Sequence, residues 1–285
     1  MIYYILYMEE RYKALQQLFF NCSRFYGIYE IQKMPYNAED RGSNNTNEYT
    51  MCYHRKNPTM KATCGPDWVT YSWPSANITS FADTVKQTIE KSKEAPIINK
   101  VGWYGNIYSP AKDVIESQTR PLLKKIGDEN KDIFDIIHVD GNKISSKNTN
   151  YLSIPDLTKY SVLIDIGGNG YSGRLKYLLF SGRPLIIVER NYIEYFHDDL
   201  IPYVHFIPVK MDLSDLLEKT EWVFANYDKC KKMADNAFEF GLQYFSRDNI
   251  NKRIYDVYLE LKSHNTNNSY ATPSNSFDKF VSYLA

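Results

Sequence analysis

The sequence has no closely spaced pair of cysteines, and it has no excess of positive or of negative charge. Its four cysteines, Cys22, Cys52, Cys64 and Cys230, include no Cys-x-x-Cys spacing, which argues against a zinc site or a disulfide framework. Lys and Arg number 34, and so do Asp and Glu. Overall charge therefore does not direct the chain to nucleic acid or an anionic membrane, and any anion site must be local.

Long apolar runs are missing as well. No stretch is long enough to span a bilayer, and the apolar start of the chain becomes charged at Glu9, too early for a secretory leader. We therefore expect a cytoplasmic protein without a transmembrane segment. The 25 tyrosines, with frequent Asn, Lys and Ile, are more typical of AT-rich coding sequence than of a carbohydrate-stacking surface.

Apolar and amphipathic segments alternate from residue 100 onward. Short apolar runs predict strands at 100–104, 133–139, 161–166, 184–188 and 204–208. Amphipathic runs predict helices at 111–126, 172–180, 213–225, 228–244 and 248–263. This rhythm is typical of a parallel sheet covered on both faces, with ligands at the carboxyl ends of its strands.

The remaining segments are assigned by the same patterns. Helices are predicted at 8–20 and 82–93, with a short one at 192–196. A strand is predicted at 29–33, polar loops at 36–48 and 141–150, and a flexible tail from residue 264.

The most informative segment is 164–179, Ile-Asp-Ile-Gly-Gly-Asn-Gly-Tyr-Ser-Gly-Arg-Leu-Lys-Tyr-Leu-Leu. An apolar strand enters a glycine-rich turn, and a helix with three leucines on one face follows. Glycines allow a sharp turn and close approach to a ligand, a helix N-terminus offers N–H groups, and Arg174 can grip a phosphate. The pattern predicts a diphosphate cradle for a nucleotide-linked ligand; a tight turn with a solvated Arg174 is the alternative.

Further segments accompany this loop in a fixed order. They are 65–74 (Gly-Pro-Asp-Trp-Val-Thr-Tyr-Ser-Trp-Pro), 101–106 (Val-Gly-Trp-Tyr-Gly-Asn), 184–188 (Pro-Leu-Ile-Ile-Val), 192–196 (Tyr-Ile-Glu-Tyr-Phe) and 200–209 (Leu-Ile-Pro-Tyr-Val-His-Phe-Ile-Pro-Val). Together with the glycine loop they resemble glycosyltransferase family 90, which includes protein O-glucosyltransferases and capsule-associated xylosyltransferases. The resemblance is strongest over 99–250.

The resemblance implies an α/β fold of the GT-B type, with two Rossmann-like domains facing a cleft. A shortened acceptor-side domain would comprise 1–98 and be joined by the helix 248–263. The nucleotide-sugar-binding domain would comprise 99–247, and a tail 264–285. The implied activity is inverting transfer of a glucose- or xylose-type sugar from a UDP-sugar to a hydroxyl of a glycan or protein, without a metal or other cofactor.

The resemblance also implies roles for individual residues. The nucleotide diphosphate would lie on Gly168, Asn169, Gly170, Tyr171, Ser172 and Arg174. Glu194 would hold ribose hydroxyls, with a solvated helix-face carboxylate as the alternative. Uracil or sugar would stack on aromatic side chains, for which core packing is the equal alternative: Trp68, Tyr71 and Trp73.

The chain departs from the family pattern after the strand at 100–104. Tyr104 stands where an Arg is usual, and Ile107 or Tyr108 stands where a second Arg is expected. A phosphate contact is therefore either missing or supplied from elsewhere, such as Lys100 or Lys112.

An inverting transferase also needs a carboxylate that takes the proton of the acceptor hydroxyl. The segment nearest to the family's base motif, 30–41, has its Ile and Pro but no Asp between them. We expect Asp40 to be the base, with Glu39 as substitute and a surface-loop role for Asp40 as the alternative.

Three other polar residues have structural interpretations. Asp212 and Asp215 lie close together in sequence but are expected to cap a helix rather than to hold a metal. His205 is expected to make a hydrogen bond to the backbone within the core, with a ligand role as the alternative.

Two other functions stay open at this point. One is a degenerate family relative that binds a nucleotide sugar or a partner without turnover. The other is an NAD-type Rossmann oxidoreductase, because a Gly-x-Gly-x-x-Gly pattern begins at Gly168 and Glu189 follows about twenty residues later.

Overall fold

The computed structural model describes residues 2–108, 114–139 and 152–264. The loop predicted at 141–150 and Lys112 lie outside the described residues. The tail predicted from 264 lies outside them too, apart from His264, which ends a helix.

Seven α-helices are described: α1 (Ile2–Tyr26), α2 (Phe81–Ser92), α3 (Val114–Glu129), α4 (Leu175–Leu178), α5 (Leu216–Ala225), α6 (Tyr227–Phe245) and α7 (Arg247–His264). The strands of the described residues are β1 (Tyr36–Asn37), β2 (Tyr49–Thr50), β3 (Tyr53–His54), β4 (Ile98–Gly105), β5 (Phe134–His138), β6 (Tyr160–Asp165), β7 (Leu185–Val188), β8 (Tyr192–Ile193) and β9 (Ile207–Val209). Short 3-10 helices include Tyr29–Lys33 and Trp68–Thr70.

The chain divides into two compact units. The first comprises the residues up to Phe81, Asn191–His197 and those from Tyr244 onward, and the second comprises Ala82–Arg190 and Asp198–Gln243. Compactness does not test where an independently folding domain begins or ends. The domain limits of 1–98 and 99–247 therefore stay a prediction.

The second unit contains a five-stranded parallel sheet in the order β5-β4-β6-β7-β9. Every residue of β6 and β7 is buried, as expected for strands that are covered on both faces. Val101, Val162 and Ile186 lie in the core beside the sheet. The mixed α/β class and the parallel sheet are thus confirmed.

The first unit is built differently. On α1, Tyr12, Leu15, Phe19 and Cys22 are buried at helical spacing. The ladders described in this unit have two strands each, a parallel one between β1 and β2 and an antiparallel one between β3 and β8. Within the described residues, the Rossmann-like sheet expected for both units is found in the second unit alone.

Two sequence assignments in the first unit are wrong. Tyr29–Lys33 forms a 3-10 helix instead of a strand, because five residues are too few to separate a period of two from a period of three. The segment 192–196 begins with a strand instead of a helix, because Ile193 pairs with Tyr53 and tertiary pairing overrides local preference.

Candidate functional site

The glycine loop lies at the carboxyl end of β6, where the strands on either side of it also end. Among the described residues, the N–H groups of Gly168 and Gly170 have no hydrogen-bond acceptor. The helix predicted at 172–180 is reduced to α4, with four residues. A single turn has only a small dipole, so binding of an anion here depends on the loop backbone and on cationic side chains.

Arg174 projects its guanidinium onto aromatic rings of β4. Its central carbon lies 4.7 Å from the ring centroid of Tyr104 and 5.7 Å from that of Trp103. Its Nε is buried without a hydrogen-bond partner, and it has no ion pair with any described residue. Tyr104, which replaces an expected arginine, therefore supports Arg174 through its ring face and leaves the charge of Arg174 uncompensated. The Arg174 side chain is thus partly buried rather than fully solvated, and its contact with a diphosphate stays a prediction.

A second guanidinium reaches the loop from α3. Arg120 donates from Nε to the carbonyl of Gly167 at 2.7 Å and from Nη1 to that of Asn106 at 2.9 Å. Its Nη2 lies 2.7 Å from the position that a Cβ on Gly168 would occupy. Arg120 thus joins the ends of β4 and β6 directly beside the glycine loop.

Of the two lysines considered as substitutes for the missing phosphate contact, Lys112 lies outside the described residues. The proposed substitute Lys100 instead donates from Nζ to the carbonyl of Lys131 at 2.5 Å, near the start of β4 and away from the loop. A third cation, Lys176, is buried with Nζ 3.4 Å from the carbonyl of Gly173. No local motif marks Arg120, because only the packing of α3 brings it to the loop.

A buried ion pair lies at the root of the loop. Asp165, the last residue of β6, accepts a hydrogen bond at 2.7 Å from Nη2 of Arg190, and both side chains are at most 3% exposed. The other carboxylate oxygen of Asp165 accepts at 2.7 Å from the hydroxyl of Ser172. The sequence signal for this cluster is an Asp at the end of an apolar strand, and our sequence interpretation missed it.

The three aromatic candidates lie in the first unit and differ in exposure. Trp68 is 1% exposed and packs against the guanidinium of Arg11, 5.4 Å from the ring centroid, and edge-on against Trp73. Its burial favours the core-packing alternative, and a ligand-stacking role for it stays untested. Tyr71 is 38% exposed and Trp73 is half-buried, so both keep ring surface that a ligand could contact.

Glu194 is buried in the first unit, directly after β8. Its N–H donates to Nδ1 of His197 at 3.1 Å. Burial raises the pKa of the neighbouring Tyr195, and the Glu194 carboxylate raises it further. A solvated helix-face position for Glu194 is therefore wrong, since the residue is buried and follows a strand. Its proposed contact with ribose stays a prediction.

Asp40 also lies in the first unit, next to a buried cation. Its Oδ1 is 2.6 Å from Nη2 of Arg11, which also donates from Nη1 to the carbonyl of Ala38 at 2.9 Å. The Asp40 side chain is 27% exposed, whereas Arg11 is 2% exposed. The carboxylate is thus anchored and accessible at the same time, unlike that of an isolated surface-loop Asp.

The remaining polar residues have local roles. Asp215 accepts from the N–H of Lys210 and Asp212 from that of Ser214, both at 3.0 Å, so they brace the loop before α5 and do not cap the helix. The Nδ1 of His205 accepts the N–H of Ile201 at 2.9 Å, so the backbone bond is present, but it lies in an exposed region and not in the core.

The described residues contain neither a metal-ligating cluster nor a helix that could span a membrane. No group of three or more metal-ligating side chains occurs in the part of the chain that the structure describes. Nor is any helix described there long and apolar enough to cross a membrane.

The chain is similar to several known proteins over part of its length. The chain is 36% identical over 95 residues to Protein O-glucosyltransferase 1 of Rattus norvegicus, covering 33% of this chain and 24% of that protein. It is 32% identical over 115 residues to Protein O-glucosyltransferase 2 of Danio rerio, covering 39% and 23%. Uncharacterized protein 179R of Invertebrate iridescent virus 6 is 32% identical over 118 residues, covering 39% and 10%.

These alignments span about a quarter or less of the relatives' own lengths. The profile of Glycosyl transferase family 90 matches a much longer part of this chain, residues 31–266. The resemblance inferred from the sequence is thus confirmed. Because the match extends over most of the chain and includes the glycine loop, the protein belongs to glycosyltransferase family 90.

Proposed function

We propose that this protein transfers a sugar from a UDP-sugar to an acceptor hydroxyl with inversion at the anomeric carbon. The bond between that carbon and the UDP oxygen breaks, and a bond to the acceptor oxygen forms on the opposite face. UDP leaves with the electron pair, and a carboxylate takes the acceptor proton. Family membership and the relatives named as O-glucosyltransferases support glycosyl transfer.

The observation that carries the proposal is the uncompensated guanidinium of Arg174 beside the glycine loop. A departing UDP develops negative charge on its diphosphate, and fixed positive groups that exclude water stabilise such charge. Arg174 and the N–H groups of Gly168 and Gly170 would bind it directly, without need of a metal ion. Asn169, Tyr171 and Ser172 complete the loop.

For the acceptor side we propose Asp40 as base. Its ion pair with Arg11 fixes the carboxylate, and its exposed part leaves room for a hydroxyl. In this proposal residues 99–247 form the donor side and residues 1–98 the acceptor side of a GT-B-like enzyme. Glu194 would hold ribose hydroxyls, and Tyr71 and Trp73 would contact uracil or sugar.

Binding without turnover is the second candidate. Two observations favour it: Asp40 is already engaged by a guanidinium, and Tyr104 stands in place of a family arginine. Family membership argues against the NAD-type alternative.

Calorimetry with UDP tests the donor site. Arg174→Ala should weaken UDP binding by about 1.5–3 kcal/mol, the range for a hydrogen bond to a charged group. The control Lys125→Ala removes an exposed cation of α3 in the same unit and should leave UDP affinity unchanged. Equal UDP affinity in folded Arg174→Ala and wild-type protein would rule out this site. Release of free sugar from UDP-glucose or UDP-xylose then separates a transferase from a binding protein.

A further inference from the structure

The buried ion pair of Asp165 and Arg190 lies next to the glycine loop. A carboxylate is unexpected beside a loop that is proposed to bind a negatively charged diphosphate. Asp165 is the last residue of the central strand β6, and the glycine loop begins two residues later. Buried ion pairs are an unreliable source of stability, since apolar residues of similar volume often serve as well. A fully buried carboxylate beneath an anion-binding loop therefore calls for another reason.

Hydrogen-bond chemistry gives the first part of that reason. The Ser172 hydroxyl has one proton and donates it to Asp165 at 2.7 Å. It therefore has no proton to donate to a phosphate oxygen while this bond lasts. The side chain instead ties the distal end of the glycine loop to β6, and this tie fixes the direction of the backbone N–H groups between them.

Charge gives the second part. An ionised carboxylate close to a diphosphate would repel it, and the repulsion is strong where water is excluded. Arg190 donates from Nη2 to the Asp165 carboxylate at 2.7 Å, and its Nε lies 3.3 Å from the carbonyl of Val188 at the end of β7. The guanidinium is thus held in place and cancels the carboxylate charge.

We propose that Asp165 and Arg190 are positioning residues for the diphosphate loop. Asp165 holds Ser172 and hence the loop, and Arg190 neutralises Asp165 so that the tie does not repel the ligand. This inference rests on the proposed UDP-binding function and assigns to it two residues that do not touch the ligand.

Three variants and two ligands test the proposal. Arg190→Gln removes the cancelling charge, and Arg190→Lys retains it. The double variant Asp165→Asn/Arg190→Gln removes both charges, while the amide oxygen introduced at position 165 can still accept the Ser172 proton. Calorimetry with UDP and with uridine compares a ligand that carries the diphosphate with one that lacks it. The thermal midpoint of each variant reports whether it is folded.

Arg190→Gln should lose about tenfold in UDP affinity, while uridine affinity changes less than about twofold. Arg190→Lys and the double variant should both bind UDP within about threefold of wild type. If Arg190 had only a structural role, Arg190→Gln would weaken the binding of UDP and of uridine alike. Removing the charge of Asp165 as well would then not restore UDP binding. Wild-type UDP affinity in folded Arg190→Gln would overturn the proposal.

If Arg190→Gln fails to fold, the UDP affinity of the double variant still tests the proposed cancellation of charge. A folded double variant that has lost UDP affinity shows that the charges themselves are needed, and it overturns charge cancellation. Failure of the proposed function has a different signature, because wild-type protein would then bind neither UDP nor uridine.

Discussion

The carboxylate of Asp40 and the guanidinium of Arg11 lie 2.6 Å apart, and only the carboxylate retains appreciable exposed surface. Arg11 in turn packs against Trp68 and bonds the carbonyl of Ala38, so it is fixed from several sides. The position of Asp40 is therefore defined by the core of the first unit rather than by its own loop. This rigidity is what a general base requires, since its oxygen must lie within hydrogen-bond reach of the acceptor.

Asp40→Asn should lower the transfer rate by about 10²–10⁴-fold, the usual contribution of a general base. UDP affinity should stay nearly unchanged, because the proposed diphosphate site uses residues of the second unit. Initial rates with a UDP-sugar and UDP calorimetry measure the two effects. Glu30→Gln, which changes an exposed carboxylate of the first unit, is the control. Full activity in Asp40→Asn would exclude Asp40 as the base and move the assignment to Glu39.

Trp68 and Tyr71 should respond differently to truncation. Trp68→Ala empties a buried site and should lower the free energy of unfolding by about 3–5 kcal/mol. Tyr71→Ala removes an exposed ring and should cost less than about 1 kcal/mol of stability, but should weaken UDP-sugar binding by about 1 kcal/mol or more if the ring stacks. Denaturant titration and calorimetry provide these values. A stable Trp68→Ala variant would contradict the assigned packing role.

Alanine substitutions at Gly168 and at Gly42 should have different effects, because the two glycines have different surroundings. A Cβ on Gly168 would lie 2.7 Å from the terminal nitrogen of Arg120, which can move, so Gly168→Ala should retain its thermal midpoint but lose about fivefold to tenfold in UDP affinity. Gly42 has a φ of +64°, and its Cβ would lie 1.9 Å from the carbonyl oxygen of Cys52. Gly42→Ala should therefore lose about 1–3 kcal/mol of stability or more. Unaltered UDP binding by Gly168→Ala would show that ligand does not approach the loop there.

The titration of His205 should make the folded protein less stable at low pH. Burial lowers its pKa below the ordinary value of 6.5. The unfolded chain then binds a proton more readily than the folded chain, so stability is retained above about pH 6.5 and falls as the pH decreases through the lower folded-state value. His205→Asn retains an acceptor for the N–H of Ile201 but does not titrate. Thermal midpoints at about pH 8 and about pH 5 should show a larger decrease in wild-type protein; parallel decreases would refute the assignment.

The elements that could be predicted from sequence are those with local signals. The apolar run of β6 and the glycines after it lie within one short segment, so their period and composition identify a strand and a turn. The same holds for α6 and α7, which begin and end within a few residues of their predicted limits. The helix after the loop is shorter than its predicted range of 172–180, because its three leucines continue an apolar pattern past Leu178. There the chain leaves the α-helix for a 3-10 turn, in which the N–H of Phe180 donates to the carbonyl of Tyr177.

The rest of the site depends on distant parts of the chain. Arg120 lies on α3 and Arg190 follows β7, and both reach the glycine loop because parallel strands align their carboxyl ends. Likewise, Asp40 meets Arg11 across a large sequence separation. Periodicity and composition carry no information about such pairs.

The division of the chain also constrains its biosynthesis. The polypeptide passes between the units after Phe81, Arg190, His197 and Gln243, so neither unit is a single continuous segment. On α1, the thiol of Cys22 lies 3.3 Å from the carbonyl of Asn251 on α7, and β3 pairs with the much later β8. During translation, the first unit therefore cannot complete its folding until almost all of the described residues have been synthesised.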